Sequence, residues 1–213
     1  GRGNLLQYSE DLNQAPWVLT GVSVSGGVSP PAGAEGAQTV DNFNALAGER
    51  VSQTYQYYAP MRGRQFRAYV WLKGAYANIG KTVRLYLLGC GGAGNAVMVD
   101  YVLTGDWVRV ETGLWSGGTD TTGLKFLMQC IEPTSSSPVA VMVAGAQLIE
   151  EGWESGYVRT VGAAQPAGFQ GRRLVFFDGV NHRLKTAAFT LNQPETIYLI
   201  MREKGWVSSA IVF

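Results

Sequence analysis

With 213 residues, 46% of them apolar and only 15% charged, the chain has ample material for a core and little for a heavily solvated surface. Its 17 basic and 16 acidic residues give a formal charge of +1 with no basic stripe, which argues against nucleic acid as a partner, since phosphate binding needs clustered Lys and Arg. No apolar run reaches the roughly 20 residues of a membrane-spanning helix, and 28 glycines among recurrent Val, Ser and Thr point to short strands and tight turns rather than long helices.

The first turn signals are Ser25-Gly26-Gly27 and Pro30-Pro31-Ala32-Gly33, and Asn42–Leu46 carries a hint of a short helical turn. Period-two alternation then dominates. Gln65–Lys73 sets Phe66, Ala68, Val70 and Leu72 on one side, with Arg67, Tyr69, Trp71 and Lys73 on the other. Lys81–Leu88 repeats the pattern with Val83, Leu85 and Leu87 inward, and Arg84 and Tyr86 outward. The glycine cluster Gly89–Gly94 formally matches a dinucleotide-binding fingerprint, but strand-like alternation follows it where a helix is required, so it reads as a turn. Val97–Leu103 and Trp107–Thr112 are two further strands, and Thr104-Gly105-Asp106 between them predicts a hairpin. After a turn at Ser116-Gly117-Gly118, Leu124–Cys130 alternates, and after another at Pro133–Pro138, Val139–Leu148 is nearly all apolar, as a central strand of a packed sheet would be.

Composition shifts beyond Tyr157. Residues 161–171 are small, flexible and Pro-containing and predict a linker. Four strand-like runs follow, Arg172–Phe177, His182–Ala187, Glu195–Arg202 and Trp206–Phe213, in a stretch too short to bury a sandwich core of its own. The expected organisation is therefore an all-β chain: an antiparallel two-sheet sandwich over residues 1–160, the linker, and a β-rich arm over 172–213.

Catalytic chemistry finds little support. His182 is the only histidine, and it follows a turn, where a solvent-facing hairpin residue is the simpler reading. Carboxylates that could pair for glycoside hydrolysis are Asp100, Glu111 and Glu150 with Glu151. Cys90 and Cys130 each end a strand-like run, and two half-buried free thiols fit better than a disulfide scaffold, which would use more cysteines. The informative set is Arg67, Tyr69, Trp71 and Lys73 on one strand with Arg84 and Tyr86 on another. Aromatic rings flanked by polar groups suit both sugar stacking and subunit interfaces, and the sequence leaves the two open.

Both ends of the first domain carry recognisable patterns. Asn4-Leu5-Leu6-Gln7-Tyr8-Ser9-Glu10-Asp11-Leu12 followed by Trp17, and Val143–Gly152 followed by Ser155–Thr160, resemble the opening and closing strands of carbohydrate-binding-module-like jelly rolls common in phage tail and virion proteins. Phe66–Lys73 and Leu103–Val110 agree with the same family in type, so the likeness spans about residues 4–160. It implies a jelly roll in a virion or extracellular setting and a non-enzymatic structural or adhesion role in a tail, fibre or capsid accessory protein. Implied partners are other virion subunits or a second copy of the chain, and a cell-surface glycan. The alternative it allows is a carbohydrate-binding module of an extracellular polysaccharide-degrading system. Related sugar-binding modules hold a structural calcium with an acidic residue near the first strand, which would fall on Glu10 or Asp11 here, and no further ligand is located. Leu174–Leu191, with Phe177-Asp178-Gly179-Val180-Asn181, resembles the start of a laminin-G or concanavalin-like domain, which leaves open whether that domain is truncated. The opening residues Gly1–Asn4 show no signal-peptide pattern, so the export route is open as well.

Overall fold

The computed structural model describes residues 3–43, 48–56, 63–91, 95–118, 121–131, 139–151 and 156–164. The chain divides into two compact units, Gly1–Arg173 and Leu174–Phe213. The second unit, with the expected C-terminal strands, His182 and the laminin-G-like segment, lies outside the described residues, as does most of the expected linker.

Eleven strands are described in the first unit: β1 (Val18–Thr20), β2 (Ser23–Val28), β3 (Ala37–Phe43), β4 (Arg50–Gln56), β5 (Gln65–Gly74), β6 (Thr82–Cys90), β7 (Ala96–Val102), β8 (Val108–Glu111), β9 (Trp115–Ser116), β10 (Gly123–Cys130) and β11 (Val139–Glu150). They form two sheets. One has the order β1-β4-β10-β6-β7, the other β2-β3-β11-β5-β8 with β9 also on β5, and every pairing is antiparallel. This is a two-sheet β-sandwich jelly roll.

The alternation legible in the sequence is what builds the core. Phe66, Ala68, Val70 and Leu72 of β5 are fully buried, as are Leu85 and Leu87 of β6 and Leu124, Phe126 and Met128 of β10. Side chains one step along each strand point to the opposite face, so the same alternation delivers two outer faces. β11 lies between β3 and β5, which explains its apolar run. The segment before β1 adds Leu6, Leu12 and Trp17 to the core, with the Trp17 ring edge-on to Phe126 at 5.6 Å.

Three local expectations are corrected. β7 and β8 are not a hairpin: β7 is an edge of the five-stranded sheet and β8 pairs with β5 in the other. Leu103 is buried, and its N–H and C=O bond Lys81 O and Gly80 N, while Thr104 O accepts from Gly74 N. The connection is thus anchored on the β5–β6 turn and crosses between sheets. Ser25-Gly26-Gly27 is not a turn but the middle of β2, where the register with β3 shifts between Ser25 and Val28; Gly27 at φ +92° accommodates the bulge. Asn42 belongs to β3 rather than to a helical turn, residues 44–46 lying outside the described ones, and a short 3-10 turn stands instead at Tyr76–Asn78.

Candidate functional site

The structure parts the six candidate side chains. Arg67, Tyr69, Trp71 and Lys73 face outward from the six-stranded sheet, whereas Arg84 and Tyr86 face outward from the five-stranded sheet on the other side of the core. They make two sites, of different character.

On the six-stranded face the aromatic rings are already engaged. The Arg109 guanidinium, brought opposite Trp71 by the β5–β8 register, lies 4.3 Å from the Tyr69 ring centroid and 5.0 Å from that of Trp71, and donates to Gln147 Oε1 at 2.9 Å. Tyr157 meets Trp71 edge-on at 5.1 Å. Tyr69 retains only 5% of its accessible surface, and burial is the main reason its phenol is pushed above the ordinary range. Arg67 is held by Glu111 and Glu151.

This face is closed by a clasp between the segments before β1 and after β11. Asn4, fully buried, donates from Nδ2 to Ala146 O and Val158 O and accepts at Oδ1 from Leu6 N and Leu148 N. Gln147 donates to Gly3 O and Gly156 O. Thr160 donates from its backbone N to Ser9 Oγ and from its hydroxyl to Leu6 O, and Tyr157 donates to Glu10 Oε1 at 2.9 Å. Burial drives the Tyr157 phenol far above its ordinary range, so it is a fixed hydroxyl. The β11 bulge between Ala144 and Gln147 makes room for the clasp: Gly145, at φ +54°, sits where a Cβ would come within 2.6 Å of the Trp71 ring. The two segments that carry the family resemblance are thus the two halves of one buried polar lock.

The same lock accounts for Glu10 and Asp11. Glu10 accepts from Glu35 N and Tyr157 Oη and ion-pairs with Arg159 at 3.0 Å, so the cation beside it is a guanidinium. Asp11 accepts from Asn13 N, Gln14 Nε2 and Gln38 Nε2. Among the described residues no group of three or more His, Cys, Asp or Glu side chains is placed to hold a metal ion.

The five-stranded face is different. Pairing registers place outward residues in straight rows across the strands. One row reads Val18, Ser52, Leu127, Tyr86, Met98; the row on one side reads Thr20, Arg50, Gln129, Arg84, Asp100; the row on the other reads Thr54, Lys125, Leu88, Ala96. Leu127 and Ser52 point away from the core and yet retain only 8% and 5% of their surface, so the centre of the face is shielded from solvent. Tyr86 stands partly exposed beside Leu127, and Met98 is half exposed at the rim. Arg84 is pinned by a bidentate pair with Asp100 and lies 5.7 Å from the Tyr86 ring centroid. That pairing holds the Asp100 carboxyl below its ordinary pKa. The arrangement is an apolar, aromatic strip bordered by hydroxyl, amide and cationic groups.

The other carboxylates weighed for hydrolysis are bound to arginines as well, Glu150 to Arg64 and Glu111 and Glu151 to Arg67. Cys90 and Cys130 are not joined in a disulfide. Cys90 pairs with Gly123 and Cys130 with Val83, at opposite ends of the β6–β10 ladder and about 23 Å apart at strand rise, far beyond disulfide reach. Sequence reasoning missed Arg109, Gln147 and Tyr157 on one face and Leu127 and Met98 on the other, because each becomes a neighbour only through strand order. The outward parity of Leu127 within Leu124–Cys130 was the one signal available.

No protein-family model matches the sequence, and a search of curated proteins finds no match either. Solved structures do match in shape. The CBM22-1 xylan-binding domain of Xyn10C from Paenibacillus barcinonensis superposes with a TM-score of 0.51 at 14% identity, over 68% of this chain and 92% of that one. The C-terminal family 22 carbohydrate-binding module of Xyn10B from Clostridium thermocellum gives 0.50 at 12% identity, over 69% and 90%. The enzymatically active domain of tailspike protein 4 from bacteriophage CBA120 gives 0.50 at 16% identity over 68% of this chain, which spans only 21% of that one. At these identities the likeness is one of fold alone: the described unit shares the jelly-roll fold of these domains.

Proposed function

We propose that this chain is a non-catalytic adhesion module of a phage particle that binds glycan on the outer face of its five-stranded sheet. The observation that carries the reading is the strip Leu127–Tyr86–Met98, bordered on one side by Arg50, Gln129 and Arg84 and on the other by Thr54 and Lys125 beside the apolar Leu88 and Ala96, a pattern on which a sugar ring can stack its C–H face and meet polar groups with its hydroxyls. Fold likeness to two carbohydrate-binding modules supports the binding part, and the tailspike likeness and the motif resemblance at both ends support the virion setting. A non-catalytic role fits carboxylates that are each occupied by an arginine rather than paired with one another, and the Asp100 carboxyl is held below its ordinary pKa, whereas a general acid needs its pKa raised.

A second reading, a carbohydrate-binding module of an extracellular polysaccharide-degrading system, is favoured by the fact that the match covers 92% of the xylan-binding domain. The test for glycan binding is a glycan-array screen of the full chain beside Tyr86→Ala and Trp71→Ala. Binding lost in Tyr86→Ala and retained by folded Trp71→Ala is the expected result; a binding signal indifferent to Tyr86 refutes this site. Sedimentation then separates the settings, a stable homo-oligomer supporting the virion and a monomer the free-standing module.

A further inference from the structure

We infer that the glycan taken by the five-stranded face is an anionic, carboxylate-bearing polysaccharide; the inference rests on the glycan-binding reading above. Its basis is the charge left on that face once its internal pair is set aside. The outward rows carry Arg50, Arg84 and Lys125 against a single acid, Asp100, and Asp100 is taken by Arg84. Arg50 is exposed and Lys125 partly exposed, and among the described residues neither has an acidic partner. The outer face of the other sheet is balanced: Arg67, Lys73 and Arg109 stand with Asp41, Glu111 and Glu151, in a chain whose formal charge is +1. Among the described residues the excess positive charge therefore lies on the five-stranded face.

Its placement fits a sugar chain. The registers put Arg50 two strands from Arg84, about 10 Å across the sheet, with Gln129 between them. Lys125 lies on the other side of the Leu127–Tyr86 row. A pyranose ring stacked on Tyr86 thus has a cation within reach along either border, and its carboxylate can pair with one while its hydroxyls meet the partly exposed Thr54 or Gln129. Arg50 and Lys125, on adjacent strands and four positions apart, lie about 14 Å from each other at strand rise, a spacing that suits a polymer bearing one charge per sugar. Duplex nucleic acid, with one charge per roughly 1.7 Å, calls for a denser cationic track. Strong pairing is not required of either cation. Carboxylate contacts at a partly exposed site are screened by salt, which is a property the test can read.

The experiment measures binding of the full chain to polygalacturonate, alginate and polysialic acid, each beside its methyl-esterified form, with neutral xylan and single-stranded DNA as further arms. At low ionic strength at least one acidic polymer is expected to bind about tenfold more tightly than its ester, as two exposed ionic contacts of roughly threefold each would give. That advantage shrinks in about 0.3 M salt, where the screening length falls well below 10 Å. The Arg50→Gln/Lys125→Gln variant should bind acid and ester alike, whereas Tyr86→Ala loses both. Esters or xylan bound as tightly as every acid, with the double variant unchanged, overturn the charge inference and leave the glycan site standing. DNA bound as tightly as the acids overturns it too. Self-association abolished by Tyr86→Ala, with no carbohydrate bound in any arm, overturns both the inference and the reading beneath it.

Discussion

Replacing Asn4 by Ala removes the keystone of the clasp. The side chain is fully buried and makes four hydrogen bonds, at 2.9 and 3.0 Å to Ala146 O and Val158 O and at 3.1 Å each from Leu6 N and Leu148 N. Alanine leaves two backbone donors and two acceptors without these partners in a site sealed from bulk water. An unsatisfied buried group costs about 1–3 kcal/mol, and some relaxation or a trapped water recovers part of it, so the loss should be about 3–5 kcal/mol, near the upper end for single substitutions. With a urea slope of about 2 kcal/mol/M, the transition midpoint of the full chain, followed by tryptophan fluorescence, should fall by about 2 M. Asn4→Asp should be comparably damaging at neutral pH, since it buries a charge and loses both donors, and should recover partly in acid, where the protonated carboxyl regains one. A midpoint drop of less than about 0.5 M for Asn4→Ala would refute the claim that the two ends of the unit are locked through this residue.

Further outcomes follow from the same geometry. Gly145→Ala should destabilise by about 2–4 kcal/mol, read as a lowered Tm, because it combines a left-handed backbone with a Cβ driven into the Trp71 ring. Trp71→Ala should lower stability through loss of its Arg109 and Tyr157 contacts while a folded sample still binds glycan; selective loss of binding without loss of stability would instead restore this face as the ligand site. Asp100 should titrate below the ordinary 3.8 by carboxyl NMR, with Arg84→Gln returning it toward that value. Because its folded pKa is the lowered one, its stabilising contribution is present above the ordinary carboxylate range and lost as pH falls through the folded pKa. Thiol titration of the unfolded chain should find both cysteines reactive without prior reduction, and a disulfide-linked Cys90–Cys130 peptide would contradict the strand register.

Much of this protein lies in plain sight in its sequence. Alternation in Gln65–Lys73, Lys81–Leu88 and Leu124–Cys130 set the fold class and named the core side chains, because a strand with one buried face must show its period of two. The apolar run Val139–Leu148 announced a central strand for a related reason: β11 has neighbours on both edges and has the core on one face and the clasp over the other. The β2 bulge escaped notice, since glycines signal turns and bulges alike until the partner register is known. So did the destination of β8: a Thr-Gly-Asp connection looks the same whether the next strand folds back or crosses to the other sheet, and the buried Leu103 decides it.

The candidate site shows the division most clearly. Parity along a strand told that Tyr69, Trp71, Arg84 and Tyr86 all point away from the core, but parity is a local property. Whether two outward residues share a face depends on strand order, which set β5 and β6 in opposite sheets. Only the tertiary structure could place Arg109 and Tyr157 over one aromatic pair, set Tyr86 in a row with Leu127 and Met98 on the other sheet, and show that the most recognisable motifs of the sequence, one at each end of the unit, are held together by hydrogen bonds spanning more than 140 residues.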